Sequence, residues 1–463
     1  MSSVRGQISD GGSQGRGDGT LVLSDTVRFF PIVFFEIFLL FTIFVFIFGP
    51  WQWPVTNPVS LYAFLLINQL ALFWGYVRAV RKQDPAPFRL PVRIDQMVWA
   101  GALLTVLLLI PTLKTDTGGD IDVIRAFTDP GAAYQDTRYA VSEAAPGIVS
   151  YIRVFFSPLL WPLLPLTLVY WNRLNKLTKW VAVLGIVGDA FIYLLIGTNK
   201  RLVDIILLLP WLFIIRYRSA PKVPNRRSAL RFFCLLALGL ALFLSYFGEN
   251  IAGRGRGEAE MGVYLGNGAV LRSNEMGNGW LVNLIGPGYY LGVASLASYI
   301  GNGYYGLSLA LQEPFVWTYG VGHSRMLTWL AEKAATGRDE IWDRTYSSRV
   351  ESDYGWDRDV QWLSLYPWLA GDVTFYVVPV VMFLIGRLLA LTWLDALGGN
   401  PFATALFSLN VIMISYVSAN AQIFQFGETV FVFYLYLYLW ARSRRAQRRV
   451  GEMRRTDFLL AHQ

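Results

Sequence analysis

The chain has one cysteine, Cys234, and two histidines, His323 and His462, among 463 residues. A lone thiol excludes an intrachain disulfide and a cysteine-based metal cluster. Charge is also scarce: Asp, Glu, Lys and Arg together make up 16% of the chain, against about 25% in soluble globular proteins. There is no Walker loop, no HExxH and no CxxC pair, so nothing points to an ATPase, a zincin or a thiol redox enzyme. No repeat of 20–50 residues is visible either, which excludes a solenoid or array.

Apolar residues are abundant instead, at 54% of the chain, with 16% aromatic. A helix that crosses a bilayer needs about 20 mainly apolar residues. Such runs lie at 29–49, 59–77, 95–113, 149–171, 180–197, 202–216, 230–248, 365–386, 402–419 and 429–441. The expected fold class is an all-α polytopic membrane protein of about 10 transmembrane helices, with a large extracytoplasmic loop and both termini cytoplasmic. The expected organisation is a disordered tail (1–28), membrane helices one to seven (29–248), an extracytoplasmic loop with interfacial helices (249–363), helices eight to ten (364–441) and a basic tail (442–463). The first apolar run starts near Phe29, too late and too long for a secretory signal.

Lys and Arg favour cytoplasmic loops. With the N-terminal tail inside, 25 of the 40 Lys and Arg residues fall on the cytoplasmic side, seven of them at 442–455. The opposite orientation would place the densest arginine clusters outside. The stretch Leu281–Ile300 is long and apolar enough for an eleventh span, but Gly286, Pro287, Gly288 and Gly292 interrupt it. It is read as a helix lying on, or dipping into, the outer interface.

The segment from Glu249 to Gln361 holds 18 of the 42 glycines, together with clustered acids, arginines and aromatics. A loop of this length tends to be functional or disordered, and its aromatic content favours a folded one. The acidic loop 114–148 is expected to pack beside it.

Several polar groups are candidates for chemistry. In GTNKRLVD, Gly197 to Asp204, Lys200 and Arg201 separate two apolar runs. Charge at this depth costs about 2.5–3.5 kcal/mol on insertion scales and is usually paired or functional. Asp204 stands at i,i+4 from Lys200, a pairing distance. The cations either snorkel to lipid headgroups or hold the pyrophosphate of a lipid-linked substrate, since Arg and Lys donate charge-assisted bonds to phosphate oxygens. GRGRGE, Gly253 to Glu258, separates Arg254 and Arg256 by glycines and would let backbone approach an anion; a flexible exit from the membrane explains it equally well. Arg153 adds a cation at the same depth.

His323, in YGVGHSRM, suits general-base work, although loop histidines are often structural. Arg325 is placed to bind a phosphate or to pair with an acid. In the run Arg338 to Trp362, the rings of Trp342, Tyr354, Trp356 and Trp362 suit stacking on sugars, with Asp353, Asp357 and Asp359 bonding hydroxyls. An amphipathic loop with interfacial tryptophans is the plainer reading. Glu36, Asp189 and Asp372 are given no catalytic role.

Three features together resemble the bacterial O-antigen and exopolysaccharide polymerases of Wzy type, relatives of the O-antigen ligases. These are the basic tip GTNKR, the large late outer loop that opens with arginines, and the run YIGNGYYGLSLALQEPFVWTYGVGHS, Tyr299 to Ser324. The Arg-x10-Gly spacing described for that family is not kept: counted from Arg254 the position is Leu265, with Gly266 one residue later.

The resemblance implies polymerisation of polyprenyl-diphosphate-linked oligosaccharide units on the outer face of the bacterial plasma membrane. It implies catalytic roles for His323, Arg254 and Arg256, with His323 as the base. It also implies substrate binding by Lys200, Arg201, Arg153, Arg325, Trp356 and Asp357. The leaving group is already activated, so no cofactor, nucleotide or metal is expected. Expected partners are the lipid-linked oligosaccharide, membrane lipids, and flippase and chain-length regulator proteins, with no nucleic acid. A ligase-like or other transferase using a polyprenyl-linked donor is the first alternative. A transporter of such lipids is the second, although broken helices in matched positions and small loops would suit it better.

Overall fold

The computed structural model describes residues 23–83, 87–117, 123–128, 147–219, 270–271, 287–335, 340–358 and 361–460, together with 131, 134, 137, 234 and 239. In chain order the main helices are α1 (Asp25–Phe48), α2 (Pro58–Arg81), α3 (Ile94–Thr117), α4 (Ile148–Leu160), α5 (Leu163–Val169), α6 (Lys176–Leu195) and α7 (Lys200–Ser219). There follow α8 (Pro287–Ala310), α9 (Arg325–Ala335), α10 (Tyr346–Tyr354), α11 (Leu365–Val373), α12 (Val378–Leu397), α13 (Pro401–Ser415), α14 (Gln422–Gln425) and α15 (Gly427–Leu460). The strands among the described residues are β1 (Trp51–Gln52) and β2 (Val270–Leu271), paired antiparallel.

Among the described residues, six stretches are long and apolar enough to cross a membrane: α1, α2, α3, Ile148–Val169, α6 and α12. This is the make-up of a multi-pass helical membrane protein. Helix α7 takes the place of the expected sixth run and carries Lys200, Arg201 and Asp204 in its first turns. The ninth run is the shorter helix α13, and the tenth is the apolar start of α15. The seventh, 230–248, lies outside the described residues, apart from 234 and 239.

The expected eighth span, 365–386, is not one helix. α11 ends at Val373, Thr374 has φ +70, and α12 restarts at Val378 with Pro379 in its first turn. Proline lacks the N–H that a helix interior needs, and it disfavours a helical residue before it. An apolar average does not register that break. The span therefore moves toward the C-terminus, and Arg387 sits near the middle of α12.

Glycines set the closest helix contacts. A Cβ on Gly75 of α2 would stand 1.9 Å from the Phe383 carbonyl oxygen of α12, and one on Gly386 would stand 2.0 Å from that of Leu72. Each backbone thus fits a notch in the other, the close approach that small residues allow between membrane helices. At the end where α1 begins, Arg28 donates to the carbonyls of Val80 (2.8 Å) and Gln83 (2.7 Å). Trp393 Nε1 donates to Val27 O there (2.9 Å).

At the opposite end, outer in the charge-based reading, α8 packs on α1. Trp51 Nε1 donates to Ala294 O (2.8 Å), Tyr304 Oη meets Thr42 Oγ1 (2.9 Å), and Asn57 Nδ2 donates to Ser308 O (2.9 Å). Trp51 and Asn57 both belong to the α1–α2 connection, so Ala294 and Ser308 of α8 stay at one end of the bundle while Tyr304 reaches inward. The helix expected at 281–300 is thus Pro287–Ala310. Its glycines serve packing: a Cβ on Gly303 would lie 2.3 Å from the carbonyl oxygens of Ser418 and Ala419.

Candidate functional site

At the end of the bundle where α3 and α6 finish and α4, α7 and α15 begin, a cavity of about 450 Å³ opens between these helices. Its walls are largely apolar, with Leu108, Leu160, Leu163, Ile186 and Ile412 among them. Into this setting project Arg153, Lys200 and Arg201, and also the acids Asp116, Asp189, Asp204 and Glu428.

The α6–α7 hairpin supplies the two adjacent cations. α6 is capped at its N-terminus by Asn175, whose side chain accepts from Thr178 N (2.8 Å), and it ends before Gly197, which takes φ +65. Glycine is at ease in that left-handed conformation, and the chain turns there so that α7 begins with Lys200 and Arg201. Arg201 Nε lies 2.7 Å from Asp189 Oδ2 on the neighbouring helix. The contact is one of charge rather than an aligned hydrogen bond, and this buried Nε has no hydrogen-bond acceptor among the described residues.

Lys200 Nζ sits 3.6 Å above the Phe426 ring, a cation–π contact. The pairing expected with Asp204 is not made. Asp204 Oδ1 instead accepts from Tyr416 Oη (3.2 Å), and among the described residues no ion pair joins Lys200 to a carboxylate. Arg153 is held more fully: Nε donates to Glu428 Oε1 (2.8 Å), Nη1 to Thr112 Oγ1 (3.2 Å), and Nη2 lies 3.9 Å from Asp189 Oδ1.

His323 belongs to a second network. Asp372, near the end of α11, accepts from Thr318 Oγ1 (2.5 Å) and the Gly322 N–H (2.9 Å) through one oxygen. Through the other it accepts from the His323 N–H (3.0 Å) and lies 2.7 Å from His323 Nδ1. Burial by itself raises the Asp372 carboxyl, but the bonds from His323 and Thr318, the charge of His323 and the Gly322 N–H outweigh it and hold the group below the usual carboxylate range. An ionised Asp372 can only accept, which assigns the proton to Nδ1. In the neutral ring Nε2 then accepts from Tyr434 Oη at 2.5 Å.

Helix α14 stands between the two networks. Gln422, on that helix, and Phe426, which follows it, line the cavity, whereas Phe424 packs edge-on against His323 with ring centres 5.3 Å apart. Glu428 and Tyr434 are six residues apart on α15, about 9 Å along the axis.

The remaining sequence candidates lie elsewhere. Arg325 is exposed, with its guanidinium 5.3 Å from the Trp342 ring centre. Asp357 is exposed and does not line the cavity. Trp356, expected to stack on sugars, is fully buried, packed on Tyr305 of α8, with Nε1 donating to Trp362 O (3.2 Å). A ring enclosed on every side offers no face to a ligand. Arg254 and Arg256 lie outside the described residues.

Sequence reasoning passed over Glu428 and gave Asp372 no catalytic role. Each is an isolated acid in an apolar stretch, QFGETV and WLAGDV, and acids in such surroundings are generally paired or functional. Among the described residues, no group of three or more His, Cys, Asp or Glu side chains is arranged to hold a metal ion.

Compared with protein-family models, with curated proteins and with solved structures, the chain matches none.

Proposed function

We propose that this chain is a membrane glycosyltransferase that polymerises polyprenyl-diphosphate-linked oligosaccharide units on the outer face of the bacterial plasma membrane. The observation that carries the reading is the meeting of Arg153, Lys200 and Arg201 in one cavity with apolar walls, Lys200 resting on an aromatic face rather than on a carboxylate. Donors held in place before a ligand arrives, in surroundings of low dielectric, stabilise charge that develops on a leaving group. The apolar wall suits the first isoprene units of a carrier.

In the proposed reaction an acceptor sugar hydroxyl attacks the anomeric carbon of the donor. The bond from that carbon to the diphosphate oxygen breaks, and the electron pair leaves with the carrier diphosphate, whose growing charge meets Arg201, Lys200 and Arg153. The hydroxyl proton passes to Tyr434 Oη as the phenol gives its own proton to His323 Nε2, and Asp372 stabilises the imidazolium. Glu428 and Tyr434 are about 9 Å apart along α15, the distance that a donor sugar would have to bridge between diphosphate and base.

The test is chain extension by the purified protein in proteoliposomes supplied with a lipid-linked repeat unit. Products of several units on one carrier support the reading; an unextended donor defeats it. Transport of such lipids is a second reading, favoured by the charge balance of the cavity, where four carboxylates accompany three cations. Donor that crosses the bilayer without growing would select it.

A further inference from the structure

We infer that Trp317 and Tyr319 form a saccharide-stacking platform beside the His323 network and hold the acceptor glycan. The inference rests on the glycan reading above and adds a binding surface to it.

Thr318 is fully buried, with its N–H on Gly371 O (3.1 Å) and its hydroxyl on Asp372. Its two neighbours turn outward. Trp317 is 51% exposed and Tyr319 54% exposed, and their ring centres are 5.2 Å apart. The Val321 N–H reaches Thr318 O (3.2 Å), closing a turn whose central residues, Tyr319 and Gly320, have φ +59 and +79.

Two central residues of positive φ mark a type I′ turn, a place for Gly, Asn or Asp. A tyrosine there is strained, and strain of this kind gathers at ligand clamps. The turn needs no ring, and the ring stays half exposed. Arg344 holds it in position: its guanidinium carbon lies 4.9 Å from the Tyr319 ring centre, and its Nε donates to Trp317 O (2.8 Å). Two half-exposed aromatic rings with a guanidinium at their margin match a pyranose, which offers an apolar C–H face and a rim of hydroxyls. Aromatic side chains also supply such contact at little conformational cost. A lipid headgroup is the other common neighbour of exposed Trp and Tyr, and the experiment separates the two.

Position supports the assignment. Asp372 accepts from Thr318, between the two rings, and also binds His323. The turn that carries the platform is therefore anchored on the carboxylate that orients the imidazole.

The experiment uses the full chain in nanodiscs and, as probe, a printed array of bacterial surface oligosaccharides without lipid carrier. Wild type is expected to bind at least one glycan class. Trp317→Ala and Tyr319→Gly should weaken that binding at least tenfold, and the glycine accepts the left-handed turn, so the fold is kept. Trp329→Ala, which removes another exposed ring, should leave binding unchanged. Wild type that binds nothing on the array, or variants that bind as well as wild type, overturn the inference. So does strong quenching of Trp317 by brominated lipid chains, read as the difference from Trp317→Phe. No diphosphate is present in the binding measurement, so a failure of the cavity as a diphosphate site leaves its result standing. The converse also holds, because chain extension by Arg201 variants is measured separately.

Discussion

Arg201 and Asp189 face each other across the α6–α7 hairpin at 2.7 Å, both largely withdrawn from solvent. Removing one member of a buried pair strands the other, at a cost of about 3–5 kcal/mol. Asp189→Ala should therefore lower the melting temperature in detergent sharply. Adding Arg201→Gln should recover part of the loss, so that the double variant is more stable than the sum of the singles implies. Strictly additive losses would show that the two charges do not support each other.

The proposed diphosphate site makes a separate claim on activity. Lys200→Ala and Arg201→Ala should each reduce chain extension by about 10²–10³, the range seen when one preorganised donor is lost from a site of developing charge. Their melting behaviour should be followed in parallel. Folded variants that extend chains at the wild-type rate would remove both cations from the mechanism.

Asp372 acts on the reaction through His323. Asp372→Asn keeps the shape but can hold the ring in the wrong tautomer, and His323→Ala removes the base, whose work is worth about 10²–10⁴ in rate. Both should lower kcat while donor binding persists. A fall in donor affinity with kcat unchanged would point to a purely structural network.

The same carboxylate gives a sign for acid stability. Its folded-state pKa is depressed, so its contribution is complete above the ordinary carboxylate value of about 3.9 and is lost as pH falls through the lower folded value. Melting temperature should drop more steeply below about pH 4 in wild type than in Asp372→Asn. Parallel curves would contradict the depressed value.

Close packing of α2 on α12 yields a further expectation. An alanine at Gly75 or Gly386 places a methyl about 2 Å from a backbone carbonyl oxygen, and overpacking of this kind costs about 1–3 kcal/mol. Gly386→Ala should reduce the yield of monodisperse protein, whereas Gly320→Ala, at a position open to solvent, should chiefly disturb the turn. Size-exclusion profiles in detergent distinguish the two.

The cationic half of the cavity was readable in the sequence because Lys200 and Arg201 interrupt apolar residues, where any charge stands out. The acidic half was legible only in part: Asp189 and Asp204 stood out as charges among apolar residues, but Glu428 meets Arg153 from 275 positions away, and no local pattern announces such a partner. The break between α11 and α12 escaped an apolar average because one proline and one left-handed threonine scarcely change mean hydropathy. Trp356 misled for a related reason. Its neighbours in the chain are charged, but its neighbours in space are Tyr305 and the backbone at Trp362, and exposure follows the latter.

Helix α14 is a single turn, Gln422–Gln425, with Gln422 lining the cavity and Phe424 packed on His323. A ligand that displaced Lys200 from Phe426 would therefore act on the residue two places from the ring that abuts His323.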